Sequence, residues 1–182
     1  TGRESTNYWC KVPSTHFKLA YDVLADILCN SAIDEAELNK ERSVIFEEIR
    51  SINDSPEDLV HEVIDEVVWG DDRGVGRSIA GSEETVGAID REAMVDFWRR
   101  NYRPDRLVVA AGGDISHEQV VELTERYFGQ LNPNGEADEF EFTETDQAES
   151  RVRLLERQTE QAHLCVAMPA LPYSTERRYV QG

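Results

Sequence analysis

The chain has 182 residues, of which 40% are hydrophobic, and a formal net charge of -18 at pH 7. This length and composition predict one globular domain, or one domain and part of a second. The acidic balance excludes nucleic acid and an anionic membrane surface as partners because both would repel the chain, and no apolar run reaches the length of a membrane span.

The first part of the chain predicts one strand followed by three helices. Residues 5–12 are rich in aromatic and β-branched side chains, which indicates a strand. A side chain that can cap a helix precedes each of the three helical patterns, because its oxygen can accept a free backbone N–H. The capping candidates are Ser14 or Thr15, Ser31 or Asp34, and Ser55 before Pro56, and the predicted helices run to about Asn30, Asn53 and Trp69.

The second of these helices carries two carboxylates in an unusual position. At about 100° per residue, Glu41 and Glu48 fall near the middle of its apolar stripe. An ionised carboxylate is seldom buried unless a cation, a metal or several donors compensate for lost hydration. Two explanations remain open: a metal site, or a narrow stripe with both glutamates at its rim and paired with Arg or Lys. The stripe consists of Leu38, Val44, Ile45, Ile49 and Ile52.

The glycine-rich stretch DDRGVGRSIAG, residues 71–81, does not fit a nucleotide-binding loop. It lacks the GK[ST] ending of a P-loop and the strand that precedes a dinucleotide-binding loop. Beyond it, Asp90 can cap a helix to about Asn101, and Asp114 or Ser116 can cap another that ends near Gly129. Between these two helices, residues 107–111 form a short apolar run that indicates a buried strand.

The last part of the chain changes in composition. Residues 132–150 are polar, acidic and rich in turn formers, which is typical of a linker. After this linker, residues 151–157 and 163–167 indicate two strands around the sequence QTEQ. Helices and strands in this order predict an α+β fold, with helices packed on a mostly antiparallel sheet.

Three stretches together resemble one enzyme family in their order and spacing. They are ELNKERSVIFEEIRSINDSPEDLVHEVIDEVVWG, GRSIAG, and residues 90–129, and the similarity extends from about residue 1 to about residue 179. The family is that of the zinc-dependent inverzincin peptidases, which includes pitrilysin, insulin-degrading enzyme and mitochondrial processing peptidase. In this family an inverted HxxEH helix supplies two histidine ligands and the general base, and a glutamate on a later helix supplies the third protein ligand.

The resemblance implies roles for particular residues and an architecture. Glu48 matches the zinc ligand, and Glu41 matches a second acidic position that supports the site. Arg77 matches the arginine of a loop beside the active-site cleft. The implied fold is an incomplete half of a clamshell. Residues 1–131 would be the latter part of the zinc-site domain, 132–150 an acidic linker, and 151–182 the opening hairpin of a second, related domain.

The chain departs from the family pattern because it contains neither HxxEH nor HExxH. We expect a piece that begins downstream of the HxxEH helix, because Thr1 opens inside a predicted strand and no initiator Met is present. The alternative is a non-catalytic family member. Either way, this chain alone cannot assemble the family's zinc site. Its four histidines are His16, His61, His117 and His163.

The expected function follows from the resemblance. The parent would be a zinc metalloendopeptidase that hydrolyses peptides or unfolded polypeptides in an enclosed chamber, and this piece would be inactive and without bound zinc. The alternative function is a structural or partner subunit of the same family. We expect a homodimer or heterodimer and a cytoplasmic location. An acidic module that binds cationic ligands is a third hypothesis, which rests on charge alone.

Overall fold

A computed structural model describes residues 1–3, 5–70, 74–131, 149–168, 170–171 and 175–180. Within these ranges the chain forms six α-helices, labelled in chain order. They are α1 (Phe17–Cys29), α2 (Glu35–Asp54), α3 (Pro56–Trp69), α4 (Glu83–Ala88), α5 (Arg91–Asn101) and α6 (His117–Phe128). Short 3-10 turns occupy Ser14–His16, Gly74–Gly76, Pro104–Arg106 and Glu176–Val180. No helix in the described ranges has the length and apolar content needed to cross a bilayer.

The predicted helices are confirmed, and most of them begin at a predicted cap. At α6 the Ser116 hydroxyl accepts a hydrogen bond from the backbone N–H of Gln119, and the Gln119 side chain accepts one from the backbone N–H of Ser116. Such a reciprocal pair satisfies two N–H groups that have no partner within the helix. The first helix differs, because His16 precedes α1 and provides no side-chain cap. The side-chain caps observed are Asp34, Ser55, Asp90 and Ser116.

The first of two compact units comprises residues 1, 5–44 and 84–140. Its core lies between α1 and α6 and contains Tyr21, Ala25, Leu123 and Phe128. Tyr21 also shares a hydrogen bond of 2.7 Å with the hydroxyl of Thr124, so its polar end is satisfied within the apolar cluster. Burial raises the pKa of the Tyr21 hydroxyl above its ordinary value, and the Thr124 hydrogen bond opposes that shift.

Two arginines of this unit connect the start of α2 with the region between α4 and α5. Arg42 on α2 donates to the carbonyl oxygen of Ile89 at 2.6 Å and to that of Val86 at 3.4 Å. Arg91, the first residue of α5, donates to the carbonyl oxygen of Ile33 at 2.7 Å. All three acceptors are backbone carbonyl oxygens in the last turn of a helix or in a segment between helices. At these positions no backbone N–H of the same helix is available to donate to the carbonyl.

The second unit comprises residues 2–4, 45–83 and 141–182, and contains the second half of α2 and all of α3. The turn Gly74–Gly76 packs on α3. Arg3 holds this arrangement together, because it donates to the carbonyl oxygen of Val75 at 2.6 Å and to the Asp65 carboxylate on α3. Gly76 is buried in the turn.

The expected α+β fold is wrong for the described ranges, because these contain helices and no strand. The backbone at Leu107 is extended, with φ -104° and ψ 126°, so the local conformation was predicted correctly there. A strand also needs a neighbour that exchanges backbone hydrogen bonds, and no described segment forms such a ladder. The described ranges therefore lack the sheet of the expected half-clamshell. The segments affected are residues 5–12, 107–111, 151–157 and 163–167.

The predicted linker falls mostly outside the described residues. Of residues 132–150, only 149 and 150 are described. The division into residues 1–131, a linker, and residues 151–182 therefore stays a prediction.

Candidate functional site

Glu41 and Glu48 lie on the single continuous helix α2, which begins at the Asp34 cap. Seven residues of α-helix correspond to two turns and about 10 Å along the axis. Both side chains are exposed, so the prediction that they are buried on the apolar stripe is wrong. Angular position alone does not bury a side chain, because another element must also cover that part of the helix. On this helix Ile49 is buried, whereas Val44 is 51% exposed.

Two other glutamates of α2 form ion pairs within the helix. Glu37 pairs with Lys40 at 2.6 Å, and Glu47 pairs with Arg50 at 2.7 Å. In contrast, the side chains of Glu41 and Glu48 form no hydrogen bond or ion pair with any other residue that the structure describes. Pairing with Arg or Lys at the rim of the stripe, which was one of the two explanations, is therefore not observed in the described part of the chain.

Arg50 connects α2 with the start of α4 within the second unit. Its guanidinium binds both carboxylate oxygens of Glu83, at 2.9 and 3.0 Å, in a bidentate geometry. The hydrogen bond and charge of Glu83 raise the pKa of Arg50, and the hydrogen bond from Arg50 lowers the pKa of Glu83. Sequence reasoning missed this pair, because 33 positions separate the two residues. The sequence indicates only the pair within the helix, because Glu47 and Arg50 lie three positions apart on one helix face.

The described residues do not by themselves form a zinc site. A catalytic zinc site uses three protein ligands, commonly His, Glu or Cys, in tetrahedral geometry. Among the described residues, no group of three or more His, Cys, Asp or Glu side chains is placed to hold a metal ion. Glu48 presents a carboxylate that can serve as one ligand, and the chain's histidines are not gathered around it.

The glycine-rich stretch contributes a folded turn to the second unit. Gly76 packs so closely against Gly70 that an added Cβ would meet the Gly70 backbone. Arg77 follows the turn with an exposed side chain, and its carbonyl oxygen accepts a hydrogen bond from Arg3. The location of Arg77 beside an active-site cleft stays a prediction.

Two family models match the chain and together cover most of it. One, described as insulinase (peptidase family M16), matches residues 1–83. The other, described as the M16 peptidase inactive domain, matches residues 88–181, which is more than half of the chain. This chain belongs to the M16 peptidase family. The resemblance to insulin-degrading enzyme and mitochondrial processing peptidase is thereby confirmed, and Glu41 and Glu48 lie within the M16 match to residues 1–83.

Several curated proteins are similar to this M16 chain. An uncharacterized zinc protease of Bacillus subtilis, YmxG, is 36% identical over 181 residues, which cover 98% of this chain and 42% of that protein. An uncharacterized zinc protease of Streptomyces coelicolor, SCO5738, is 35% identical over 100% of this chain and 40% of its own length. The mitochondrial-processing peptidase subunit beta of Bos taurus is 30% identical, over 96% of this chain and 35% of that protein. The chain thus spans 42%, 40% and 35% of the length of these three relatives.

Proposed function

We propose that this chain is part of a zinc metallopeptidase that hydrolyses peptides inside an enclosed chamber. The observation that carries the proposal is the match of residues 1–83 to the insulinase family, because α2 lies entirely within it. Two similar proteins are named zinc proteases, which supports zinc as the metal. The assignment of Glu48 as a ligand rests on the resemblance to the family, because the exposure of its side chain removes the argument from burial.

In the longer protein, Glu48 would be one zinc ligand and Glu41 would support the site from two turns earlier on α2. The remaining protein ligands and the general base would come from residues outside this chain, because the described residues gather no further ligands. When bound, zinc would supply Lewis-acid chemistry for peptide hydrolysis. We therefore expect this chain alone to hold no zinc and to be inactive.

The proposed substrates are peptides or unfolded polypeptides. The net charge of -18 favours cationic segments, since a strongly acidic protein attracts them at low ionic strength. We also propose a homodimer or heterodimer in the cytoplasm. The Bos taurus relative is named as a subunit, which supports an assembly of more than one chain.

The second candidate function is a structural or partner subunit without catalytic activity. One observation favours it: the family model that matches residues 88–181 is described as an inactive domain. This candidate predicts that the longer protein holds no zinc and cleaves no peptide alone, but that it raises the activity of an active partner.

The deciding experiment compares zinc content and peptide cleavage for the full-length protein and three variants. Loss of an outer-shell group costs about 10- to 100-fold in metal affinity or activity, so we expect that loss in Glu41→Gln and at least as large a loss in Glu48→Gln. The matched control is Glu47→Gln, which removes a neighbouring carboxylate that is paired with Arg50. It is expected to keep both zinc and activity.

Three results would contradict parts of the proposal. Full zinc content in Glu48→Gln would remove Glu48 from the ligand set. Equal losses in Glu47→Gln and Glu48→Gln would indicate a general effect of charge on α2. An unmodified full-length protein that lacks both zinc and activity would favour the partner subunit.

A further inference from the structure

Residues 151–157, RVRLLER, alternate between arginine and apolar side chains at their start. Val152 and Leu154 are 91% and 89% exposed, whereas Leu155 is 48% exposed. The arginines of this segment occupy the odd-numbered positions 151, 153 and 157, and they contact the helices of the second unit. Leu155 occupies the remaining odd-numbered position. The segment therefore presents a charged face to these helices and an apolar face to solvent.

Two of these arginines bind helix carbonyls that have no donor within their own helix. Arg151 donates to the carbonyl oxygens of Val67 and Val68, at 3.0 and 3.4 Å, in the last turn of α3. Arg157 donates to the carbonyl oxygen of Asn53, in the last turn of α2, from 104 positions along the chain. Carbonyls in the last turn of a helix lack an N–H four residues later, so a side-chain donor satisfies them.

Arg153, which lies between Arg151 and Arg157 in the sequence, also contacts α3 through an attraction between opposite charges. Arg153 forms an ion pair with Glu66 of α3 at 3.4 Å. The carboxyl end of a helix carries a partial negative charge, so arginines that gather there are stabilised. Side chains on both sides of this pair are partly exposed, at 52% and 35%, and salt therefore screens the attraction.

We propose that residues 151–157 form an arginine strap, which holds the C-terminal turns of α2 and α3 and is released as ionic strength rises. In the bound state, arginines replace water at the helix carbonyls. In the released state, water solvates both the carbonyls and the guanidinium groups. The strap acts on the C-terminal turn of the helix that carries Glu48, and it does not depend on the proposed zinc chemistry.

Cleavage by thermolysin at Leu154 and Leu155 tests the strap in the 182-residue chain. A protease must draw the segment away from the helices, so the cleavage rate follows the population of the released state when release is fast. Each rate is divided by that of a synthetic peptide of residues 149–163 at the same salt concentration, and the peptide carries the substitution whenever the substituted position falls within it. This ratio removes effects of salt and sequence on the protease itself.

We expect the normalised rate to rise about fivefold in Arg151→Gln and in Arg157→Gln, which corresponds to about 1 kcal/mol for each lost hydrogen bond. The unmodified chain should reach a similar rate in about 1 M salt, where the screening length falls to about 3 Å. The matched control is Arg177→Gln, an equal change in charge at an exposed arginine whose side chain contacts neither helix in the described part of the chain.

Two outcomes would overturn the strap. One is a normalised rate that stays constant in both variants and across the salt series. The other is an equal rise in Arg177→Gln, which would assign the effect to net charge. The salt series on the unmodified chain decides the question even if a variant fails to fold.

Discussion

Replacement of Gly76 by alanine is expected to separate the turn Gly74–Gly76 from the end of α3. An added Cβ at Gly76 would come closest to the carbonyl oxygen of Gly70, and it would lie 2.8 Å from the carbonyl carbon and 3.2 Å from the nitrogen of the same residue. All three atoms belong to the backbone, so no side chain can rotate away. Relief requires movement of the turn or of the C-terminal end of α3.

The expected cost is about 2 kcal/mol, in the middle of the range of about 1–3 kcal/mol for inserting a methyl group into a packed site. A cost of this size multiplies the population of locally open molecules by about thirty, because about 1.4 kcal/mol corresponds to a factor of ten. Hydrogen exchange of the backbone amides in α3 measures this local opening directly. We expect exchange about thirtyfold faster in Gly76→Ala than in the unmodified chain.

The control is Gly74→Ala in the same turn, where an added Cβ meets no atom within 4 Å. Its exchange rates in α3 should stay within about fivefold of the unmodified chain, since alanine at a compatible position changes stability by less than about 1 kcal/mol. Equal exchange rates in the two variants would refute the argument that close backbone packing at Gly76 holds the turn.

Two further predictions concern the first unit. Burial raises the pKa of the Tyr102 hydroxyl well above 10.0, and the hydrogen bond with the Tyr8 hydroxyl at 2.8 Å raises it further. Above about pH 10 the Tyr102 hydroxyl therefore loses its proton in the unfolded chain before it does so in the folded chain. The folded chain should lose stability as the pH rises above that value. Tyr8→Phe should lower the Tyr102 pKa, measured by NMR of the tyrosine ring carbons, and an unchanged titration would contradict this. Ser116→Ala should lower the free energy of unfolding, measured in urea, by about 1 kcal/mol, because it removes the cap of α6. The control is Ser43→Ala, at an exposed serine within α2. Equal changes in the free energy of unfolding in the two variants would contradict the prediction.

The helices were predictable because their signals are local. Ser116 and Gln119 lie three positions apart, and both halves of their capping box are visible in the sequence. The same holds for Asp34 and Asp90, whose side chains accept N–H groups two or three residues later. A cap and its partner lie within one turn, so the rest of the fold does not have to be known.

The predictions of strands and of buried glutamates were wrong because both depend on a second element that packs against the first. An apolar run such as residues 107–111 predicts extended backbone, but a sheet forms only if another strand lies beside it. The burial of Glu41 and Glu48 depends in the same way on what covers α2, and helical periodicity contains no information about that. The contact of Arg50 with Glu83 was hidden for the same reason, because it joins distant parts of the sequence.

The contacts of Arg42 and Arg91 have a consequence for the substitutions that this chain tolerates. Both side chains donate to carbonyl oxygens, which every amino acid provides. Mutation at Val86, Ile89 or Ile33 therefore leaves the acceptor in place, whereas loss of a guanidinium removes the hydrogen bonds that it donates. These hydrogen bonds therefore constrain the two arginines and place no constraint on the side chains of the residues that accept them.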